Sequence, residues 1–161
     1  MERIHKIQNH PVYKEEYRLL TEAEKERFFC RHTMEHFLDV ARLMYIYNLE
    51  DDAGIDKELI YAAALLHDIG RYEQIQNGTP HHIAGAKLAE EIMSDCDFER
   101  AEIDMVKEAI AGHREEKSST DQHTLASYLY RADKRSRNCF SCQAYTECNW
   151  PEEKKNKVIH E

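Results

Sequence analysis

The sequence predicts an all-α fold, a single helical bundle of about six or seven helices, on three observations. Apolar residues recur at three- and four-residue steps along most of the chain. No run shows the strict alternation of a half-buried strand. Five Gly and three Pro leave few breaks in 161 residues, a length that suits one domain. With 42% hydrophobic and 33% charged residues the balance is globular, neither disordered nor fibrous.

Each element follows from local signals. Asn9-His10-Pro11 reads as a helix start, with Asn9 as cap and Pro11 in the first turn, where its missing N–H costs nothing. That helix runs to about Leu20. Thr21-Glu22-Ala23-Glu24 resembles a capping box and predicts a second short helix ending near Cys30. From Thr33, the positions Phe37, Val40, Ala41, Met44 and Tyr45 mark one buried face of a helix to about Asn48. Asp56 caps a fourth, whose run Leu59 to Leu66 is apolar on almost every side and therefore central, with Gly70 as its stop. Residues 71–80 are polar and contain Asn77-Gly78 and Pro80, the composition of a loop. A helix then starts near His82, with Ser94-Asp95-Cys96-Asp97 ending it and capping a sixth from Phe98 to Ala111. Past the polar stretch 115–122, a seventh covers Thr124 to Ala132. Two regions result: a helical domain over 1–137 and a cysteine-bearing extension over 138–161 packed on it.

Charge and cysteine use bound the function. Twenty-two basic against 31 acidic residues give a net charge of −9, which excludes general nucleic-acid binding as the main business of the surface. A small anion remains compatible with it where basic residues gather. The eight-residue apolar run at 59–66 falls far short of the roughly 20 that cross a bilayer, so no membrane association is expected. No apolar leader follows the N-terminus, and five cysteines make an odd count, so the expected location is the cytoplasm, with free thiols or metal ligands. Oligomeric state is not readable from the pattern.

Ten histidines stand out. His67-Asp68 ends the apolar central helix, a costly place for polar groups without partners. Imidazole with carboxylate suits Fe, Mn, Co, Ni or Zn. His32 and His36 stand one turn apart at the start of a helix, with His36 nearer the apolar stripe; His81-His82 open another, and His113 and Asp133 each end one. Such placement lets separate helices converge on one point. Taken singly, each residue reads equally as a cap or a solvent-facing histidine.

In order and in helical context, His36, His67-Asp68 and Asp133 resemble the H…HD…D signature of the HD superfamily of metal-dependent phosphohydrolases. The flanks Phe37-Leu38-Asp39-Val40-Ala41 and Ala64-Leu65-Leu66 with Ile69-Gly70 are similar too, and the match spans about Arg31 to Arg137. His81 and His113 resemble the additional histidines of members that hold two metals, a spacing similar to the bacterial branch that hydrolyses diadenosine tetraphosphate. The resemblance implies one or two divalent transition-metal ions. His36, His67, Asp68 and Asp133 would hold the first, and Asp68 would bridge to a second held by His81 and His113, with His82 as the substitute if the register slips.

It further implies hydrolysis of a phosphoester or phosphoanhydride bond in a nucleotide or small phosphorylated metabolite by a metal-activated water, with His67 and Asp68 at the chemistry. Arg71 and Lys134 are the candidate phosphate binders. Arg31, Arg114, Arg131, Arg135 and Arg137 lie nearby in sequence and serve equally well as helix-end cations. Spacing singles out no general acid. The competing class is a non-catalytic metal- or nucleotide-binding regulatory module with a redox- or metal-sensing tail.

The tail is outside the resemblance. Cys139, Cys142 and Cys148 form C-x2-C-x5-C, a candidate second metal or cluster site. Zinc or an iron–sulfur cluster would suit it. Cys30, Cys96 or His160 could be a fourth ligand, and reduced thiols packed by Phe140, Tyr145 and Trp150 are the alternative.

Overall fold

The structure, a computed structural model, describes residues 1–113 and 123–159. Among these residues it is all helical, with eight α-helices: α1 (Glu2–Asn9), α2 (Pro11–Ala23), α3 (Met34–Glu50), α4 (Lys57–Leu66), α5 (Arg71–Asn77), α6 (His81–Ser94), α7 (Arg100–Gly112) and α8 (Leu125–Arg135). Two 3-10 turns follow, at Cys139–Ser141 and Glu152–Lys154. Among the described residues no helix is long and apolar enough to cross a membrane. Arg114 and the stretch 115–122 lie outside the described residues, as does His160.

Helix α4 is the hub, as its all-round apolar sequence requires. Leu59, Ile60 and Ala62 through Leu66 are buried, and α1, α3, α6, α7 and α8 all pack against α4. Asp56 caps it by accepting from the Glu58 and Leu59 amides. Thr33 caps α3 and Thr124 caps α8, each accepting from the amide three residues on.

Four expectations are corrected. The N-terminus carries an additional helix, α1, whose Ile4 and Ile7 are buried in the core while Arg3 binds Glu58 (2.6 Å) and Glu102 (2.7 Å). Asn9 therefore ends a helix rather than capping α2. Thr21 caps nothing either: α2 runs on through Ala23, and the Thr21 hydroxyl donates to the Tyr17 carbonyl one turn back. Residues 24–33 are turns and irregular chain, so the helix expected to end near Cys30 is absent. Residues 71–77 are helical, not a loop. Gly78, at φ +77°, closes α5 in the left-handed conformation, its N–H bonded to the Gln74 carbonyl. Finally, Glu99, not the 94–97 stretch, caps α7, in a reciprocal box with Glu102.

One close approach decides where the site forms. A Cβ on Gly70 would lie 2.4 Å from the Gly85 nitrogen and from the His81 carbonyl oxygen. Glycine there lets the end of the α4 segment meet the start of α6, bringing His81 to Asp68.

Candidate metal centre

Five helices or their ends deliver the expected residues to one buried point. His36 comes from the first turn of α3, His67-Asp68 from the turn after α4, His81 from the start of α6, His113 from the end of α7 and Asp133 from the last turns of α8. They form two sets whose ligand atoms lie within 4.8 Å of one another: His36, His67, Asp68 and Asp133, and Asp68, His81 and His113. Asp68 belongs to both and divides its oxygens between them. Its Oδ2 is 3.1 Å from His67 Nε2 and 3.9 Å from His36 Nε2; its Oδ1 is 3.2 Å from His81 Nε2 and 3.9 Å from His113 Nε2. Asp133 Oδ1 faces His36 Nε2 at 3.5 Å and His67 Nε2 at 3.8 Å.

The tautomers are set from behind. Each ring places Nδ1 on an acceptor: Ser136 Oγ for His36 (3.1 Å), the Ala64 carbonyl for His67 (2.7 Å), Gln74 Oε1 for His81 (2.8 Å) and the Ile110 carbonyl for His113 (2.5 Å). The Ser136 hydroxyl spends its own hydrogen on the Asp133 carbonyl, so it accepts from His36. With Nδ1 donating, each Nε2 points inward, as in metal-ligating histidines, and at His67 a proton holds the place a metal would take.

The donor set fits a metal. His67 Nε2 and Asp68 Oδ2 are buried and lack a hydrogen-bond partner, their 3.1 Å approach being poorly aligned. His81 Nε2 and His113 Nε2 face each other at 3.3 Å. Buried orphan donors and opposed lone pairs are costly without a cation between them. Imidazole and carboxylate together select a transition ion such as Fe, Mn, Co, Ni or Zn.

Electrostatics agree. Burial pulls the His67 imidazole down, but the Asp68 and Asp133 carboxylates outweigh it and hold its pKa up at about 10. A proton there occupies the place of a cation. Burial would raise both carboxyls, yet His67 keeps each below the usual range, aided by His32 and Arg71 at Asp68 and by Arg137 at Asp133. Burial, with Arg137 and His67 nearby, pushes His36 down to about 2, and burial with His67 pushes His113 to about 4. Both are neutral at ordinary pH, as ligands must be.

The cations divide. Arg71 Nε donates to Asp68 Oδ1 at 3.0 Å and Nη1 reaches Gln74 Oε1 at 3.4 Å, so Arg71 braces the carboxylate that faces both sets. Lys134 lies 3.6 Å from Asp133 Oδ2 and 4.0 Å over the Tyr130 ring. Arg137 Nη2 donates to His36 Nε2 at 3.0 Å. Arg131 stacks on Tyr47 at 4.1 Å. His82 is in neither metal-binding set. A surface groove of about 540 Å³ lined by Tyr13, Tyr17, Lys14 and Arg18 contains none of the expected site residues.

One residue escaped the sequence pattern. His32 is buried, with Nδ1 at 2.7 Å from Glu24 Oε1, its amide donating to Glu24 Oε2 at 2.8 Å, and Nε2 3.4 Å from Asp68 Oδ2. It is a fifth histidine braced from behind and turned toward Asp68. The spacing to His36 was a signal; the Glu24 partner was not, because the irregular chain at 24–33 makes that pairing.

Comparison with known proteins gives the following. The HD domain family model matches residues 33–138. An uncharacterized protein of Clostridium beijerinckii is 47% identical over 137 residues, 85% of each chain. Ribonuclease Y of Oleidesulfovibrio alaskensis is 30% identical over 107 residues, 66% of this chain but 19% of that protein; ribonuclease Y of Clostridium kluyveri is 23% identical over 147 residues, 83% of this chain and 28% of that one. Among solved structures, a predicted HD superfamily hydrolase from an uncultured Thermotogales bacterium is similar with a TM-score of 0.63 and 23% identity, covering 88% of this chain and 80% of its own.

Proposed function

This chain belongs to the HD domain family, and on that premise we propose that it is a metal-dependent phosphohydrolase acting on a nucleotide or small phosphorylated metabolite. The observation that carries the reading is Asp68, each of whose oxygens faces its own set of inward-turned imidazoles. His36, His67, Asp68 and Asp133 would hold one ion, and Asp68, His81 and His113 a second. Bound there, two divalent ions would activate a water for attack at phosphorus and offset the charge growing on the phosphoryl oxygens.

The chain's own residues do the rest. Arg71 fixes the Asp68 carboxylate so that its two oxygens stay divided between the sets. Gly70 and Gln74 set the position and tautomer of His81. Arg71, Lys134 and Arg137 gather positive charge around an otherwise acidic molecule, which favours a phosphate-bearing ligand at this place. The similarity to two ribonucleases Y covers only a fraction of those proteins, and the net charge of −9 speaks for a small substrate over a long RNA.

The test is phosphate release from a panel of nucleotides, dinucleoside polyphosphates, sugar phosphates and a short RNA with the Mn2+-loaded protein. Turnover of a small substrate that disappears in His67→Ala and Asp68→Ala supports the reading. Binding of nucleotide without turnover of any member contradicts it and leaves the regulatory module.

A further inference from the structure

Three of the five cysteines line one cavity whose thiols the phosphohydrolase reading does not use, and a fourth, Cys148, acts electrostatically on one of them. Cys30 lies in the irregular chain between α2 and α3, Cys139 and Cys142 bracket the 3-10 turn after α8, and Cys148 follows in the tail. Cys30, Cys139 and Cys142 line a cavity of about 300 Å³ with Arg31 and Arg137 on its wall and His36 at its edge. The segments that carry them are pinned together. Arg137 Nη1 donates to the Arg31 carbonyl at 3.0 Å, and Asn156 Nδ2 donates to the carbonyls of Lys134 (2.7 Å) and Arg137 (2.8 Å). All four thiols are free of disulfides.

We propose that Cys30, Cys139, Cys142 and Cys148 are the four thiolate ligands of a further metal centre, which takes a thiolate-seeking metal as an iron–sulfur cluster or as zinc. Sequence spacing alone leaves three cysteines and an open choice of fourth. The fold chooses Cys30, which lines the same cavity as Cys139 and Cys142 while Cys96 does not; Cys148 also acts on the Cys30 thiol, whereas Asp95, Asp97 and Lys6 act on Cys96. Sulfurs that repel one another as thiolates are stabilised by a cation placed among them.

Soft thiolates select iron–sulfur or zinc over the Mn or Mg that carboxylates favour. Zinc, at about 2.3 Å from each sulfur, would draw all four to within about 3.8 Å of one another, whereas a four-iron cluster gives each thiolate its own iron. Arg31 and Arg137 face the negative charge that either form would carry. The centre clips the approach to α3 onto the tail, where Arg137 Nη1 already holds the Arg31 carbonyl at 3.0 Å.

Anaerobically purified full-length protein tests this by assay of iron, zinc and acid-labile sulfide together with the visible spectrum, on the parent and on Cys30→Ser, Cys142→Ser, Cys96→Ser and His67→Ala. The proposal expects iron with sulfide and a broad visible band, or colourless stoichiometric zinc, lost in Cys30→Ser and Cys142→Ser and kept in Cys96→Ser and His67→Ala. Because a serine variant can fail to fold, thiols of the parent are also counted with a reagent before and after metal removal; Cys30, Cys139, Cys142 and Cys148 should become reactive only afterwards. Thiols equally reactive before and after, or a metal lost in Cys96→Ser as readily as in Cys30→Ser, would overturn the proposal.

Discussion

His81 Nε2 and His113 Nε2 lie 3.3 Å apart, although each ring has already committed its Nδ1 hydrogen, to Gln74 Oε1 and to the Ile110 carbonyl. Two lone pairs brought this close in a buried place repel, and a shared cation turns that repulsion into attraction.

Metal loading should therefore stabilise the fold. At a free Mn2+ concentration of about a hundred times the dissociation constant, one site contributes about 2.7 kcal/mol, which for a chain of this size raises Tm by roughly 5–11 °C. Scanning calorimetry with and without chelator checks this. A Tm that ignores Mn2+ would show that the donors do not bind it.

Gly70→Ala should undo the second ligand set. The new Cβ would stand 2.4 Å from two backbone atoms, Gly85 N and His81 O, neither of which can turn aside. Overpacking of this kind costs about 1–3 kcal/mol, and relief requires α6 to move away with His81. Urea unfolding should show the loss of stability, and metal titration the loss of one ion. A variant with full stability and full metal content would refute the close approach.

The sequence announced this site more completely than it announced the helices around it. His36, His67-Asp68, His81, His113 and Asp133 were singled out as a set by the resemblance to the HD signature; periodicity contributed only their placement near helix ends, and the structure brings them within reach of one another. Helix α5 was not legible: Arg71–Asn77 is short and buries no residue fully, and only Tyr72 packs from it against the core, so it has no apolar stripe to read. Asn77-Gly78 gave the same signal for a turn that it gives for a helix C-cap. Thr21 misled for a related reason, since a threonine followed by glutamates serves an N-cap or the interior of a helix, and its bond to the Tyr17 carbonyl is visible only in three dimensions. The Glu24–His32 pair depends on chain folding back without regular structure, which no period describes.

The pH response of the metal-free protein follows from His67. Its folded pKa is about 10 against an ordinary value of about 6.5, so its charged form stabilises the fold fully below about pH 6.5, and that contribution is lost as pH rises through 10. Asp68 and Asp133 are held below the ordinary carboxylate value of about 3.9. Their contribution is present above it and is lost as pH falls further. Burial holds His36 down at about 2 and His113 at about 4, so both resist protonation in the fold and cost stability as pH falls below about 6.5. The Tm of chelator-treated protein should therefore peak at about pH 6.5. Metal uptake should release protons and strengthen toward alkaline pH, because the ion replaces the proton on His67. Uptake that weakens as pH rises from 6 to 8 would contradict this.

Arg137→Ala should separate substrate binding from metal binding. Arg137 donates to His36 Nε2 in the metal-free protein, and a metal at His36 would turn it toward the anion. Losing one charged hydrogen-bond donor costs about 1.5–3 kcal/mol, so KM for the phosphorylated substrate should rise roughly ten- to a hundredfold with Mn2+ stoichiometry unchanged. An unchanged KM would remove Arg137 from substrate recognition.

The central claim is that Asp68 joins two ligand sets, and counting ions tests it most directly. Chelator-treated protein titrated with Mn2+, an ion that carboxylate and imidazole accept and thiolates do not favour, should bind two ions per chain in the parent, one in His81→Ala and none tightly in Asp68→Ala. A single ion in the parent, unaffected by His81→Ala, would contradict the bridging role and reduce the site to one metal.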